Sequence, residues 1–173
     1  FNFDPGYIKE EIYPCDEGST SHACIEVTYN SHGFRGNEFE KEKPDNTFRI
    51  FAVGGSTTVG GAAEDDETWP VNLQKIMNEK ITGKKIEVIN FGVNSATTER
   101  EYEIIRNKIS SLISFVTIEG QQESIAEQIR PSLDPDLIIM YDGWNEGVTP
   151  VEKTIQNWES VCKLGKNEGF GTI

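Results

Sequence analysis

Two hydrophobic periods alternate along the chain. Phe48-Arg-Ile-Phe-Ala-Val53 is short, apolar and rich in β-formers, which predicts a buried strand. It runs straight into Gly54-Gly55-Ser56, two residues that allow a sharp turn and then a hydroxyl. Beyond a polar loop, Thr68 to about Thr82 has helical spacing, with Thr68 as N-cap and Gly83 as the stop. Lys85 to Val93 predicts a second strand, ending in Gly92 and then Asn94-Ser95. From Thr97 to about Ile113, Tyr102, Ile105, Ile109 and Leu112 share a helical face. Ser114 to Gly120 fits neither period, and Ser124 to Leu133 regains helix before stopping near Pro131. Leu137 to Tyr141 predicts a third buried strand, followed by the polar Asp142-Gly-Trp-Asn-Glu146. Val151 to Asn167 predicts a helix with Ile155, Trp158, Val161, Cys162 and Leu164 on its inner side. Gly169 to Ile173 reads as a fourth strand just beginning.

The first 30 or so residues contain no long periodic segment; Phe3, Tyr7, Ile8, Ile12 and Tyr13 suit an extended arm packed over the domain. Ile25-Glu-Val-Thr-Tyr29 alternates as a short strand does. Asn30 to Gly36 is a turn, with Phe34 as an aromatic anchor and Arg35 as a candidate ion-pairing group. This divides the chain into an arm and lead-in over 1–47 and an α/β domain over 48–173.

Strands alternating with helices of this length predict a parallel sheet with crossover helices. A doubly wound sheet usually continues past the point reached by Ile173, so the expectation is the N-terminal part of a larger domain. In such a sheet the loops after the strands gather at one edge. That assembles Ser56, Gly92, Asn94 and Asn145 from distant parts of the sequence. A serine attacks a carbonyl when a base takes its proton. The Ser56 and Gly92 backbone N–H groups and the Asn145 side chain are then the expected oxyanion donors.

Composition narrows the alternatives. The 173 residues carry a net charge of −13 with no basic cluster, which speaks against a nucleic-acid partner and is read as a solvated surface. No apolar run reaches the roughly eighteen residues that a membrane span needs. Gly55 and Gly60 have the spacing of a P-loop, but Gly61-Ala62 stands where Lys and Ser/Thr are required. No G-x-G-x-x-G occurs, and the G-x-S-x-G elbow fails at Thr58. Asp65, Asp66 and Glu67 read as a solvated loop, not a calcium loop, and no Cys/His cluster suggests a metal. No cofactor is expected. Trp144 and Trp158 are assigned to core or pocket wall, and Cys162 to a buried, inert thiol. Cys15 and Cys24 can close a small disulfide loop, the alternative being two free thiols; the former favours an extracytoplasmic location.

Gly54-Gly55-Ser56-Thr57-Thr58, Asn90-Phe91-Gly92-Val93-Asn94 and Asp142-Gly143-Trp144-Asn145-Glu146 resemble, in order, the first three motif blocks of SGNH (GDSL-like) hydrolases. Asn30 to Gly36 also resembles a lead-in common ahead of the serine block. The resemblance implies a flavodoxin-like three-layer α/β/α sandwich and metal-free hydrolysis of an ester, with carbohydrate O-acetyl groups one candidate substrate. By position, Ser56 resembles the nucleophile, and Gly92 and Asn145 the oxyanion-hole residues. Glu146 stands where Asp is usual. The family's late Asp-x-x-His block does not occur here; the two histidines are His22 and His32, and His32 reads as a solvent-exposed turn residue. A serine with no base is a poor nucleophile. The expectation is therefore an esterase whose Asp and His come from a remaining C-terminal part or a partner chain, the alternative being a non-catalytic hydrolase-like binding or scaffolding module in a surface assembly.

Overall fold

The computed structural model describes residues 10–11, 25–61, 63–109, 133–142, 145–147 and 149–173. In chain order its elements are β1 (Glu10–Glu11), β2 (Glu26–Val27), β3 (Thr47–Gly54), α1 (Ser56–Val59) and α2 (Trp69–Lys80). There follow β4 (Lys85–Gly92), α3 (Thr98–Ile109), β5 (Leu137–Tyr141), α4 (Val151–Glu168) and β6 (Gly171–Thr172). The first two strands pair antiparallel. The other four form one sheet in the order β4-β3-β5-β6, every pairing parallel. From central β3 the chain goes outward to β4 and then crosses to β5 on the other side, the order of a flavodoxin-like doubly wound sheet.

Side-chain alternation along β3 builds the three layers. Ile50 and Ala52 join Ile86 and Val88 beneath Trp69, Leu73 and Met77 of α2. Phe51 and Val53 face the other way, with Ile89, Phe91 and Ile138, against Ile105 of α3 and Val161 and Leu164 of α4. A parallel strand covered on both faces has no solvent-facing side, which is why these strands are mainly apolar, with Arg49, Glu87 and Asn90 as internally paired exceptions. Phe34 reaches this second layer from the lead-in turn. Its ring stacks on Phe91 at 3.9 Å, and Phe91 stacks on Phe51 at 4.1 Å.

Edge strand β4 is closed by α2. Asn78 Nδ2 donates to the Ile86 carbonyl at 2.8 Å, and its Oδ1 accepts the Ile86 N–H at 2.9 Å. Gln74 Oε1 accepts the Val88 N–H at 2.7 Å. Toward the amino ends of the strands, Arg49 is fully buried yet satisfied. It pairs with Glu87 at 2.6 Å and donates to the carbonyls of Leu133, Glu40 and Lys41.

Several expectations are corrected. Helix α1 occupies what the sequence presents as the start of a loop. Thr68 holds the N-cap position of α2, but its hydroxyl donates to the Asp65 carbonyl at 3.4 Å instead of capping, and the helix ends at Lys80. On α4 the buried residues are Thr154, Asn157, Val161, Leu164 and Gly165, whereas Ile155 is 46% exposed. The helix is rotated because Thr154 and Asn157 have polar partners inside. Cys162 is half-buried, accepting a hydrogen bond from Thr172 Oγ1. His32 is also half-buried: its ring lies 4.4 Å from that of Phe39, and Nε2 is 3.0 Å from the Phe39 carbonyl oxygen. Asp65 is no solvated bystander, since it pairs with Arg35. The arm before residue 25 apart from β1, the Cys15–Cys24 pair, His22, the segment 110–132 with its second helical stretch, and Trp144 lie outside the described residues.

Candidate active site

Strand register brings three loops to one level. Gly54, the last residue of β3, pairs with Gly92 at the end of β4 and with Tyr141 at the end of β5. The loops leaving these ends meet where neighbouring connections diverge, the usual ligand position in open α/β sheets. Contact there is tight enough to exclude side chains. A Cβ on Gly54 would collide with the Thr58 hydroxyl and the Tyr141 carbonyl. On Gly55 it would collide with Asn145 Nδ2, and on Gly92 with the backbone of Thr58 and Val59. Three glycines thus let three sequence-distant loops touch.

Ser56 is the exposed first residue of α1, directly after the glycine turn. A helix of four residues lacks the length to hold itself in water. Its carbonyls are bonded from elsewhere instead. Asn90 Nδ2 donates to the Thr58 carbonyl at 2.8 Å. Arg35, itself only 4% exposed, donates through Nη1 to the Val59 and Gly60 carbonyls at 2.9 and 2.5 Å. Its Nη2 reaches the Ala63 carbonyl and its Nε the Asp65 carboxylate at 2.9 Å. The lead-in turn and strand β4 therefore clamp the segment that presents Ser56.

Gly92 departs from its expected role. Its N–H donates to Asn90 Oδ1 at 2.9 Å, so that amide is already engaged. What Gly92 supplies is close approach. The next turn, Val93 to Ala96, closes with the Ala96 N–H on the Val93 carbonyl at 3.0 Å. Ser95 within it has a φ of 58°, left-handed backbone that favours glycine. Asn94 and Ser95 are exposed, and no hydrogen bond among the described residues engages their N–H groups. A positive φ at a serine leaves no mark in composition or periodicity.

Asn145 stands against Gly55, and its Nδ2 donates to the Ala96 carbonyl at 2.9 Å. An amide nitrogen carries two protons, so one remains for another acceptor. Glu146 fastens the same loop: its two oxygens accept from the Thr98 N–H at 2.6 Å and the Thr154 hydroxyl at 3.2 Å. The first of these places a carboxylate at the N-terminus of α3, where it is favoured by the helix dipole. Asn157 completes the anchorage through Thr98 Oγ1 at 3.0 Å. Behind the loop lies a carboxyl that sequence reading did not flag. Glu101 is 2% exposed, and burial pushes its pKa up to about 9, helped by the neighbouring carboxylates of Asp142 and Glu146.

A groove of about 440 Å³ adjoins Glu146, walled by Val151, Ile155 and Trp158. Among the described residues no group of three His, Cys, Asp or Glu is arranged to hold a metal ion, and no helix is long and apolar enough to cross a membrane.

No protein-family model matches the chain, and no curated protein matches it in sequence. Solved structures do. AlinE4, an SGNH-hydrolase family esterase, superposes with a TM-score of 0.54 at 20% identity, over 75% of this chain and 59% of its own. TesA gives 0.52 at 18% identity, over 72% and 57%. The psychrotrophic esterase EstA from Pseudoalteromonas sp., solved with monoethylphosphonate inhibition, gives 0.50 at 19%, over 74% and 57%. The chain therefore has the α/β fold of the SGNH-hydrolase esterases and spans less than two thirds of the length of these structures.

Proposed function

We propose that this chain is the nucleophile-bearing part of an SGNH-type serine hydrolase that cleaves an ester. The observation that carries the reading is the contact of the Gly55 turn with Asn145 Nδ2, which puts the exposed Ser56 beside a fixed side-chain donor. In this mechanism Ser56 Oγ attacks the acyl carbonyl and its proton passes to a histidine. That histidine, oriented by an aspartate, comes from chain beyond Ile173 or from a partner. The free Asn145 proton and the Ser56 N–H stabilise the oxyanion. With the Gly92 amide engaged, the third donor is assigned to the Asn94–Ser95 turn, one peptide from the carbonyl that holds Asn145. Carbohydrate O-acetyl esters are the proposed substrate class, following the family resemblance. An extracytoplasmic location is proposed with them, on the spacing of Cys15 and Cys24.

Fluorophosphonate labelling of the complete protein tests the reading. A native-state adduct on Ser56, together with ester turnover abolished by Ser56→Ala, is expected. A second reading, a non-catalytic hydrolase-like module, is favoured by His32, which is bonded to the Phe39 carbonyl and not to Ser56. Absence of both adduct and turnover from the complete native protein establishes that second reading and removes the first.

A further inference from the structure

Three carboxyl groups, Glu101, Asp142 and Glu146, converge behind the loop that carries Asn145. Their donors are unequally shared. Glu146 has a donor on each oxygen, the Thr98 N–H and the Thr154 hydroxyl. By contrast, both oxygens of Glu101 and Oδ2 of Asp142 are buried with no hydrogen-bond donor among the described residues. Asp142 Oδ1 lies on the site side, 3.5 Å from where a Cβ on Gly55 would stand. Among the described residues the surroundings offer no cation. From α4 the groups turned toward the cluster are the neutral Thr154 and Asn157, while Lys153 is held on the surface near Glu99 at 3.7 Å. On α3 itself Arg100 pairs outward with Glu103. The Gly55 turn contributes no charge.

The buried Glu101 carboxylate and the half-buried Asp142, with buried unsatisfied oxygens in mutual reach, repel each other and lose hydration there. A single proton between them removes the repulsion and supplies the missing donor at once. We infer that Glu101 and Asp142 share one proton as an acid–carboxylate pair, and that this bond fixes Asp142 and, with it, the placement of Asn145 against the Gly55 turn. Glu101 is then the donor and Asp142 the acceptor. Loss of the proton leaves like charges facing each other under Asn145, and the loop loosens. The consequence for catalysis rests on the hydrolase reading of Ser56; the shared proton does not.

The direction of the pH effect follows from linkage. A carboxyl titrating near 9 in the folded chain and near 4.5 unfolded holds more protons folded throughout that interval. Stability is therefore greatest near the lower limit, falls as pH rises across the interval and levels off above about 9.

The experiment compares unfolding of the complete protein between about pH 5 and 10 for wild type, Glu101→Gln and Glu101→Leu. Gln keeps a donor for Asp142 and does not titrate; Leu keeps neither. Wild type is expected to lose up to about tenfold in its folding equilibrium constant per pH unit, relative to Glu101→Gln. Glu101→Leu is expected to be less stable than Glu101→Gln at every pH. Parallel curves for wild type and Glu101→Gln overturn the proposal. Carboxyl carbon NMR of glutamate-labelled wild type decides the case even if the variants fail to fold. One side chain titrating near 9 supports the pair, and all titrating in the ordinary acidic range overturn it. Fluorophosphonate labelling of Ser56 adds the functional arm: its rate declines with pH in wild type relative to Glu101→Gln. A Ser56 inert at every pH removes the hydrolase reading, while the unfolding and NMR results still decide the shared proton.

Discussion

Asn90 joins two strand ends through one side chain: Nδ2 donates to the Thr58 carbonyl at 2.8 Å, and Oδ1 accepts the Gly92 N–H at 2.9 Å. The first bond holds the helix that begins at Ser56. The second shapes the turn that leads to Asn94 and Ser95. Asn90 is 4% exposed, so water cannot replace either partner. In the proposed hydrolase it is a positioning residue, acting on the candidate nucleophile Ser56 through the backbone of α1.

Replacing Asn90 by Leu keeps the volume and removes both bonds. The Thr58 carbonyl is then left buried without its partner, at a cost of about 1–3 kcal/mol, and the half-buried Gly92 N–H loses its bond at a smaller cost. Denaturant unfolding of the complete protein is expected to show destabilisation in that range. Fluorophosphonate labelling of Ser56 should slow beyond what the unfolded fraction explains; an unchanged labelling rate in the folded protein removes the positioning role.

Arg35 makes the second clamp. Converting it to Met leaves the carbonyls of Val59, Gly60 and Ala63 without the guanidinium and Asp65 without its ion pair. Removing one partner of a buried pair costs about 3–5 kcal/mol. Here the lower end applies, because the Asp65 side chain is 30% exposed and regains water. Lys in place of Arg is expected to recover little, since an ammonium cannot span four acceptors in a planar fork. Equal stability of the Lys variant and wild type contradicts this account.

How much of this was legible in the sequence depended on the kind of cause. The runs Phe48–Val53, Lys85–Val93 and Leu137–Tyr141 announced parallel strands because a strand buried on both faces is mainly apolar, even where Arg49, Glu87 or Asn90 interrupts it. Ser56 and Asn145 were legible as polar residues just past strand ends. Helix α1 was not, because Ser-Thr-Thr-Val has low helix propensity and is held by Asn90 and Arg35 from outside. Gly92 was assigned a donor role that the Asn90 side chain preempts, a matter of rotamer and not of residue type. Glu101 was not singled out, because nothing in its residue type marks which acid of α3 is buried beside Asp142. The same polar interior turned α4, so that Thr154 and Asn157 took places expected of Ile155.

Gly55→Ala tests the contact between the first and third loops. The new methyl group meets Asn145 Nδ2 and has no backbone freedom to avoid it without moving the turn. Overpacking of this kind costs about 1–3 kcal/mol. Since the atom displaced is the candidate oxyanion donor, ester turnover should fall about 10²–10³-fold, the loss typical of one such donor. Turnover near wild type in a stable Gly55→Ala protein would contradict the assignment of Asn145.

The edge of the sheet yields the last prediction. An exposed edge strand presents unpaired N–H and C=O groups that template pairing with another chain. On β4 that edge is occupied: Asn78 takes both the N–H and the carbonyl of Ile86, and Gln74 takes the N–H of Val88. The amides of α2 therefore imitate a neighbouring strand while offering no continuation of the ladder. Asn78→Ala opens the backbone of Ile86 to solvent. Because the edge is then wet, the lost bonds cost about 0.5–1.5 kcal/mol each, less than in a dry core. The larger effect is on association. The double variant Asn78→Ala, Gln74→Ala is expected to sediment with a concentration-dependent oligomer absent from wild type. Amide hydrogen exchange at Ile86 and Val88 should quicken in the same variant at low concentration. A strictly monomeric variant with wild-type exchange at both amides would mean that the α2 side chains do not protect this edge.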